Sequence, residues 1–94
     1  MTKEVRQRRP LRREGVWLRS VGDENAVFDP ATKGLHFLNE TARAIWELCD
    51  GDTTPDEMVR AICEVSGLPA EVVAEDVVRM LGEFESLGIL RWEG

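Results

Sequence analysis

Tyrosine is absent from this chain, histidine occurs once and cysteine twice. These scarcities remove most catalytic designs. With His36 as the single imidazole, little remains for acid–base work or for activating a nucleophile. No serine stands in a nucleophile-elbow context, and no glycine loop has the spacing to cradle a phosphate. Carboxylates are plentiful but scatter over helix surfaces. The chain reads as no enzyme and implies no cofactor. Cys49 and Cys63 fall on apolar helix faces and read as buried free thiols. Joined only by His36, they fall short of a zinc ligand set, so no metal site is expected. Nor does any apolar run approach the ~20 residues needed to cross a bilayer. The N-terminus is basic without an apolar stretch behind it, unlike a secretory signal. A cytoplasmic protein with no membrane partner is the expectation.

What is present fits one domain. Ninety-four residues, 43% apolar and 32% charged, can bury a modest core but not a core plus a deep cavity. The net charge of −6 is unevenly spread. Residues 1–13 hold six basic groups against one acidic, a net +5, and the remainder carries −11. Residues 1–9 are therefore expected to form a flexible basic arm, with one domain over residues 10–94. The acidic body would repel phosphates and attract a basic peptide.

From Pro10 to Leu38 the texture is that of strands. Val16 to Val21 alternates, Gly22-Asp23-Glu24-Asn25 turns the chain, and Ala26-Val27-Phe28 forms a short second strand. Asp29 to Gly34 turns it again, with Pro30 presetting φ and Gly34 admitting a positive φ. Leu35-His36-Phe37-Leu38 follows, so the three strands make an antiparallel meander. Then the period changes. Asn39 caps a helix with Ala42, Ile45, Trp46 and Cys49 on its apolar face, and Gly51 stops it. Thr54-Pro55-Asp56-Glu57 spells a capping box with proline at the first helical position. That second helix carries Met58, Ile62 and Val65 and ends at Gly67. A third runs from about Pro69 to Leu87, with Val73, Val77, Met80, Phe84 and Leu87 within roughly 40° of one line. Asp76, Glu83, Val72 and Arg79 lie on one flank of it. Ile89 to Trp92 forms a final short strand or an apolar tail. The fold class is α+β, winged helix-turn-helix-like: a three-stranded antiparallel sheet followed by three helices.

The segment Leu38-Asn39-Glu40-Thr41-Ala42, with Ile45-Trp46, Leu48 and Asp50-Gly51, resembles the helix-opening motif of PqqD-like proteins, also called RiPP recognition elements. Asp76-Val77, Met80-Leu81 and Gly88-Ile89-Leu90 match the family's last helix and its exit. Pro10 and Glu14-Gly15-Val16 resemble its opening strand. The similarity spans about residues 10–92. In PqqD proper the second strand has a longer apolar stretch leading to a Pro-Glu turn. Here Ala26 to Gly34 looks more like the stand-alone leader-binding proteins of lasso-peptide pathways.

The resemblance implies a function. A leader segment of a ribosomally made precursor would add as a strand to the third strand, beside the third helix, and be delivered to a leader peptidase or other tailoring enzyme. It places backbone contacts at Gly34, Leu35, His36 and Phe37. The pocket wall would come from Val73, Asp76, Val77, Met80 and Phe84, with Asp76 and Glu83 meeting a basic leader residue. The same stripe is what any core helix would show, so these residues carry a structural reading beside the functional one. One alternative is a PqqD-type peptide chaperone in pyrroloquinoline quinone biosynthesis. Another is a winged-helix DNA-binding protein. Between Ala70 and Leu87, however, Glu71, Glu75, Asp76, Glu83 and Glu85 face Arg79 alone, the wrong sign for a polyanion. No nucleic-acid partner is expected. A third reading is a structural subunit docking through Ile89, Leu90 and Trp92. A monomer is favoured, with a dimer through the edge strand as the alternative.

Overall fold

A computed structural model describes residues 8–93. The expected arm lies mostly in residues 1–7, outside the described residues. The elements are β1 (Arg9–Arg12), β2 (Trp17–Val21), β3 (Glu24–Asp29), β4 (Gly34–Leu38), α1 (Glu40–Glu47), α2 (Pro55–Ser66), α3 (Ala70–Ser86) and β5 (Leu90–Glu93). The antiparallel meander is β2-β3-β4, and three helices follow it. A second sheet was not read from the sequence: β1 pairs antiparallel with β5, Pro10 opposite Trp92 and Arg12 opposite Leu90.

Turn chemistry fixes the meander's register. Val21 and Glu24 close a two-residue hairpin. Its first loop residue, Gly22, takes φ +64°, as a two-residue turn with glycine at that position requires. The β3–β4 turn is braced by the buried carboxylate of Asp29. Asp29 accepts the Ala31 N–H at 3.0 Å and the Thr32 hydroxyl at 3.3 Å, and Thr32 Oγ1 accepts the Gly34 N–H at 3.2 Å. The left-handed residue here is Lys33, at φ +61°, and not Gly34. Glycine is needed at 34 for room: a Cβ there would lie 2.9 Å from His36 Nε2 and 3.1 Å from Thr32 Oγ1. The second strand also runs longer than its apolar triplet, because Glu24 and Asn25 pair with Val21 and Ser20 before the apolar residues begin.

Helix boundaries follow their caps. Asn39 accepts the Ala42 N–H at 2.8 Å. Thr54 and Glu57 form the full capping box, with Thr54 N–H donating to Glu57 Oε1 at 2.9 Å. Gly67 ends α2 at φ +73°. Gly51 does not end α1, which stops at Glu47 with Leu48 as its cap. Gly51 instead turns the next loop so that its N–H reaches the Pro10 carbonyl at 2.9 Å. At the end of α3, Ile89 N–H bonds Phe84 O at 3.1 Å and Gly88 N–H bonds Glu85 O at 3.0 Å, a Schellman closure.

One core joins all three helices to the meander's inner face. Val27 and Leu38 share it with Ile45, Trp46, Met58, Ile62, Val73, Val77, Leu81 and Phe84. Trp46 and Phe84 meet edge to face, centroids 5.3 Å apart. Ile89 and Leu90 are buried in it, which removes them as a docking surface. Arg8 lies over the Trp92 ring, 5.6 Å from its centroid.

The basic N-terminal stretch also has structural work. Neither α1 nor α3 has a basic residue in its last turn to meet the carbonyls left open there. Arg12 supplies α1, its guanidinium donating to Glu47 O at 2.7 Å and Trp46 O at 3.2 Å. Arg13 donates to Gly88 O at 2.6 Å, just past α3. A cation from a distant strand thus completes the end of α1, and Arg13 ties the segment after β1 to the turn that leaves α3.

Candidate functional site

Among the described residues the meander has two unpaired edges, the outer sides of β2 and β4, and the contacts read from the sequence lie on β4. That strand pairs with β3 on one side, and among the described residues no strand pairs with its other side. A sheet edge of this kind presents unmet N–H and C=O groups in a row. Alternation divides its side chains. Leu38 points into the core, in register with Asn25, while His36 lies opposite Val27 and is half-buried. Leu35 and Phe37 point to the outer face, 44% and 54% exposed. Gly34 begins the strand at the braced turn.

The sequence-read wall residues divide in three. Val73, Val77 and Phe84 are fully buried, so their side chains offer no free surface. Met80 is half-buried against the core and Glu83 is exposed. Asp76 is partly exposed and holds Arg79 through a 2.8 Å bond. The stripe is centred between Val77 and Leu81 rather than on Met80. Leu81 is therefore buried, and Leu87, placed in the stripe by the sequence, emerges 41% exposed. Val72 is 46% exposed. At about 100° per residue, Val72, Asp76, Met80, Glu83 and Leu87 fall on one flank of α3, an apolar strip interleaved with two carboxylates. Val72 and Leu87 were not named as site residues. A helical wheel centred on the buried Val73, Val77, Leu81 and Phe84 leaves both outside the core face.

The surface concavities are shallow. One, on α3, is lined by Arg79, Gly82, Glu83, Ser86 and Leu87, and another by Ala74, Glu75, Asp76, Val78 and Arg79. A groove between α1 and α2, floored by Ala44, Leu48, Ala61 and Ile62, contains none of the sequence-read residues. Among the described residues no three His, Cys, Asp or Glu side chains gather as a metal site. No described helix is long and apolar enough to cross a membrane. The structure thus offers two separate features, an extended sheet edge at β4 and a mixed apolar-acidic flank on α3.

Comparison with known proteins gives three findings. The family model described as Coenzyme PQQ synthesis protein D (PqqD) matches residues 24–90. No curated protein sequence matches the chain significantly. Solved structures do match in fold. One is TbiB1 in complex with the TbiA(beta) leader peptide, with a TM-score of 0.73 and 22% identity, covering 86% of this chain and 94% of that one. Lasso peptide synthetase B1 complexed with the leader peptide gives 0.75 at 12% identity, covering 87% and 96%. The solution structure of the PqqD truncation of Methylobacterium extorquens PqqCD, a stand-alone RiPP recognition element, gives 0.74 at 20% identity, covering 87% of each chain. At such identities the likeness establishes the fold.

Proposed function

The chain belongs to the PqqD family, and on that premise we propose that it binds the leader segment of a ribosomally made precursor peptide and delivers it to a modifying enzyme or leader peptidase. The observation that carries this reading is the outer edge of β4, unpaired among the described residues. An extended peptide satisfies such an edge through its backbone, and pockets beside it read alternate side chains. Met80, with Val72 and Leu87, supplies adaptable apolar surface on the α3 flank. A basic leader residue meets Glu83 and competes with Arg79 for Asp76. The exposed Asp76–Arg79 pair is weakly held, so the exchange costs little. Val73, Val77 and Phe84 act behind this surface by fixing α3. Gly34 to Phe37 provide the backbone contacts. The domain over residues 10–94 works without catalysis of its own, in the cytoplasm, as a monomer.

Likeness to two proteins solved with leader peptides, one of them lasso peptide synthetase B1, supports the lasso type. The family description favours a second reading, a peptide chaperone in quinone-cofactor synthesis. Both share the same edge and differ in precursor. A DNA-binding role loses further ground because Arg12 and Arg13 are engaged by backbone carbonyls of the domain itself.

The test is a fluorescence-anisotropy titration with synthetic leaders from candidate precursors of each class, beside a random DNA duplex. Binding in the micromolar to high-nanomolar range is expected. Met80→Asp, with folding verified by circular dichroism, should weaken it at least roughly tenfold, a loss of about 1.4 kcal/mol. N-methylation of alternate leader amides should abolish it at positions that donate to β4. Failure of every leader to bind, with salt-sensitive binding of duplex DNA, sinks the proposal.

A further inference from the structure

The outer face of the meander is more apolar than a solvent face needs to be. The chain has only six aromatic residues, three Trp and three Phe, and Trp17, Phe28 and Phe37 all lie on this face. The register aligns them in rows. Trp17 stands opposite Phe28 and Phe28 opposite Leu35; Arg19 stands opposite Ala26 and Ala26 opposite Phe37. Trp17 is 55% exposed and Arg19 lies over its ring, 6.0 Å from the centroid. None of the three aromatics belongs to the core cluster or packs against it, so core packing does not account for them.

Both rows end on β4, at the edge left open. A strand added there antiparallel places one residue opposite Leu35 and another, two positions away, opposite Phe37. Their side chains project to the same face as Leu35 and Phe37, with Cβ atoms within about 5.5 Å. They would extend each row by one member.

We propose that β4 reads its bound peptide on both faces, with Leu35 and Phe37 selecting apolar side chains at two positions spaced i and i+2 on the side away from the core. The inference rests on the strand-addition reading and names the class of peptide it takes. A strand flanked by the α3 side and also by this outer row has apolar neighbours on both faces. Such strands read as near-continuous apolar runs rather than alternating ones. Trp17 and Phe28 hold the first row in place from behind, and Arg19 borders the second.

A random linear 12-residue peptide library displayed on phage tests this against the full chain, Leu35→Glu, Phe37→Glu and Met80→Asp. The wild type is expected to enrich apolar residues at two positions two apart, together with the residues that face α3. Leu35→Glu should convert one outer position to Lys or Arg and leave the other apolar, and Phe37→Glu should do the reverse. For one enriched peptide, Leu35→Ser or Phe37→Ser should each weaken binding roughly twofold to fivefold, the range of one cross-strand pair. Replacing the facing peptide residue by Ser should give a loss that is not additive with it. An identical consensus from wild type, Leu35→Glu and Phe37→Glu overturns two-faced reading. Strand addition itself survives that result if Met80→Asp loses the consensus, and falls with it if no peptide is enriched at all. Sedimentation of wild type and Phe37→Glu supplies the other overturning result: a dimer dissolved by the substitution, with the consensus unchanged, makes this face a contact between copies.

Discussion

The two sheets of this small domain treat their edges in opposite ways. The β1–β5 ribbon has its β1 edge covered. The outer side of β1 is taken by the loop after α1, where Arg12 N–H meets Cys49 O at 2.9 Å, Gly51 N–H meets Pro10 O at 2.9 Å, and Leu11 bridges to Asp50. Ile89 and Leu90 beside it are buried, Arg12 caps α1, and Arg13 holds the turn after α3. Among the described residues the meander leaves the outer sides of β2 and β4 unpaired, and its outer face bears Trp17, Leu35 and Phe37. Where an edge has no further use it is covered; where it is left open and apolar, it is available for pairing. Stability and recognition should therefore separate along this line.

The sharpest way to break the comparison is to cut into the ribbon's anchor. Ile89 is fully buried, and Ile89→Ala should cost about 3 kcal/mol through lost burial and the cavity left behind. Urea unfolding measures it. Leu35→Ser and Phe37→Ser, on exposed positions, should stay within about 0.5 kcal/mol of wild type while weakening peptide binding. Equal losses of stability from the two sets would dissolve the distinction.

Arg12→Ala comes next. It leaves the Trp46 and Glu47 carbonyls without their charged donor, and a loss of about 1–2 kcal/mol is expected. A thermal melt with Arg12→Lys alongside separates charge from fork geometry, and lysine should restore only part. No change in either variant would return Arg12 to the role of a solvated cation.

That second role marks where the sequence was legible and where it was not. Local signals read well: Asn39, Thr54-Pro55-Asp56-Glu57 and Gly67 start or stop helices through bonds within a few residues, and the structure makes those bonds. The meander was legible because its turns are short. Long-range pairings were not. Nothing in Arg9–Arg12 announces a partner some eighty residues away, and a run of arginines looks the same whether it caps helices or drifts in solvent. The candidate site was legible as a strand and a helix but not as a set of faces. A five-residue α3 stripe fitted Leu87 as well as Leu81, and only packing against α1, α2 and β5 chose between them. Gly51 and Gly34 show the same limit: Gly51 takes its positive φ in the loop that meets β1 and not as a helix stop, and Gly34 sits among the side chains of Thr32 and His36 without a positive φ.

Acid should sharpen the comparison by loosening the covered edge first. Asp50 lies in the loop that covers β1. Partial burial opposes its ionisation more than any other single influence. Bonds from the Asp52 N–H and from the Thr53 N–H and hydroxyl together outweigh this and hold its carboxyl below the usual range. Glu57 is likewise held low, by the Thr54 N–H and hydroxyl first, with Arg60 and Arg9 adding to the effect. A carboxyl whose folded pKa is depressed stabilises the fold above its unfolded value, near 4, and loses that contribution as pH falls through the folded value. Denaturation midpoints from pH 6 down to about 2 should fall, and the fall should be shallower in Asp50→Asn and Glu57→Gln. Parallel curves for all three proteins would remove these carboxylates from the acid response.

The smallest effect reads the covered edge from the alkaline side. Burial pushes the Cys49 thiol up to about 12, Arg12 opposes the shift and Asp50 adds to it. The thiol donates to Ile45 O at 3.2 Å. Because the folded pKa lies above the unfolded one, the stability linked to this group is complete below about pH 8.5. It is lost as pH rises toward the folded value. Cys49→Ala should therefore lack that alkaline decline. Near neutrality the thiolate is scarce and shielded, so Cys49 should resist alkylation while the half-buried Cys63 reacts. Arg12→Ala, by removing the guanidinium that ties β1 to the end of α1, should speed labelling of Cys49 and leave Cys63 unchanged. Peptide-level mass spectrometry distinguishes the two sites. Equal acceleration at both would mean that the whole domain opens at once, and that the covered and open sheets are one cooperative unit.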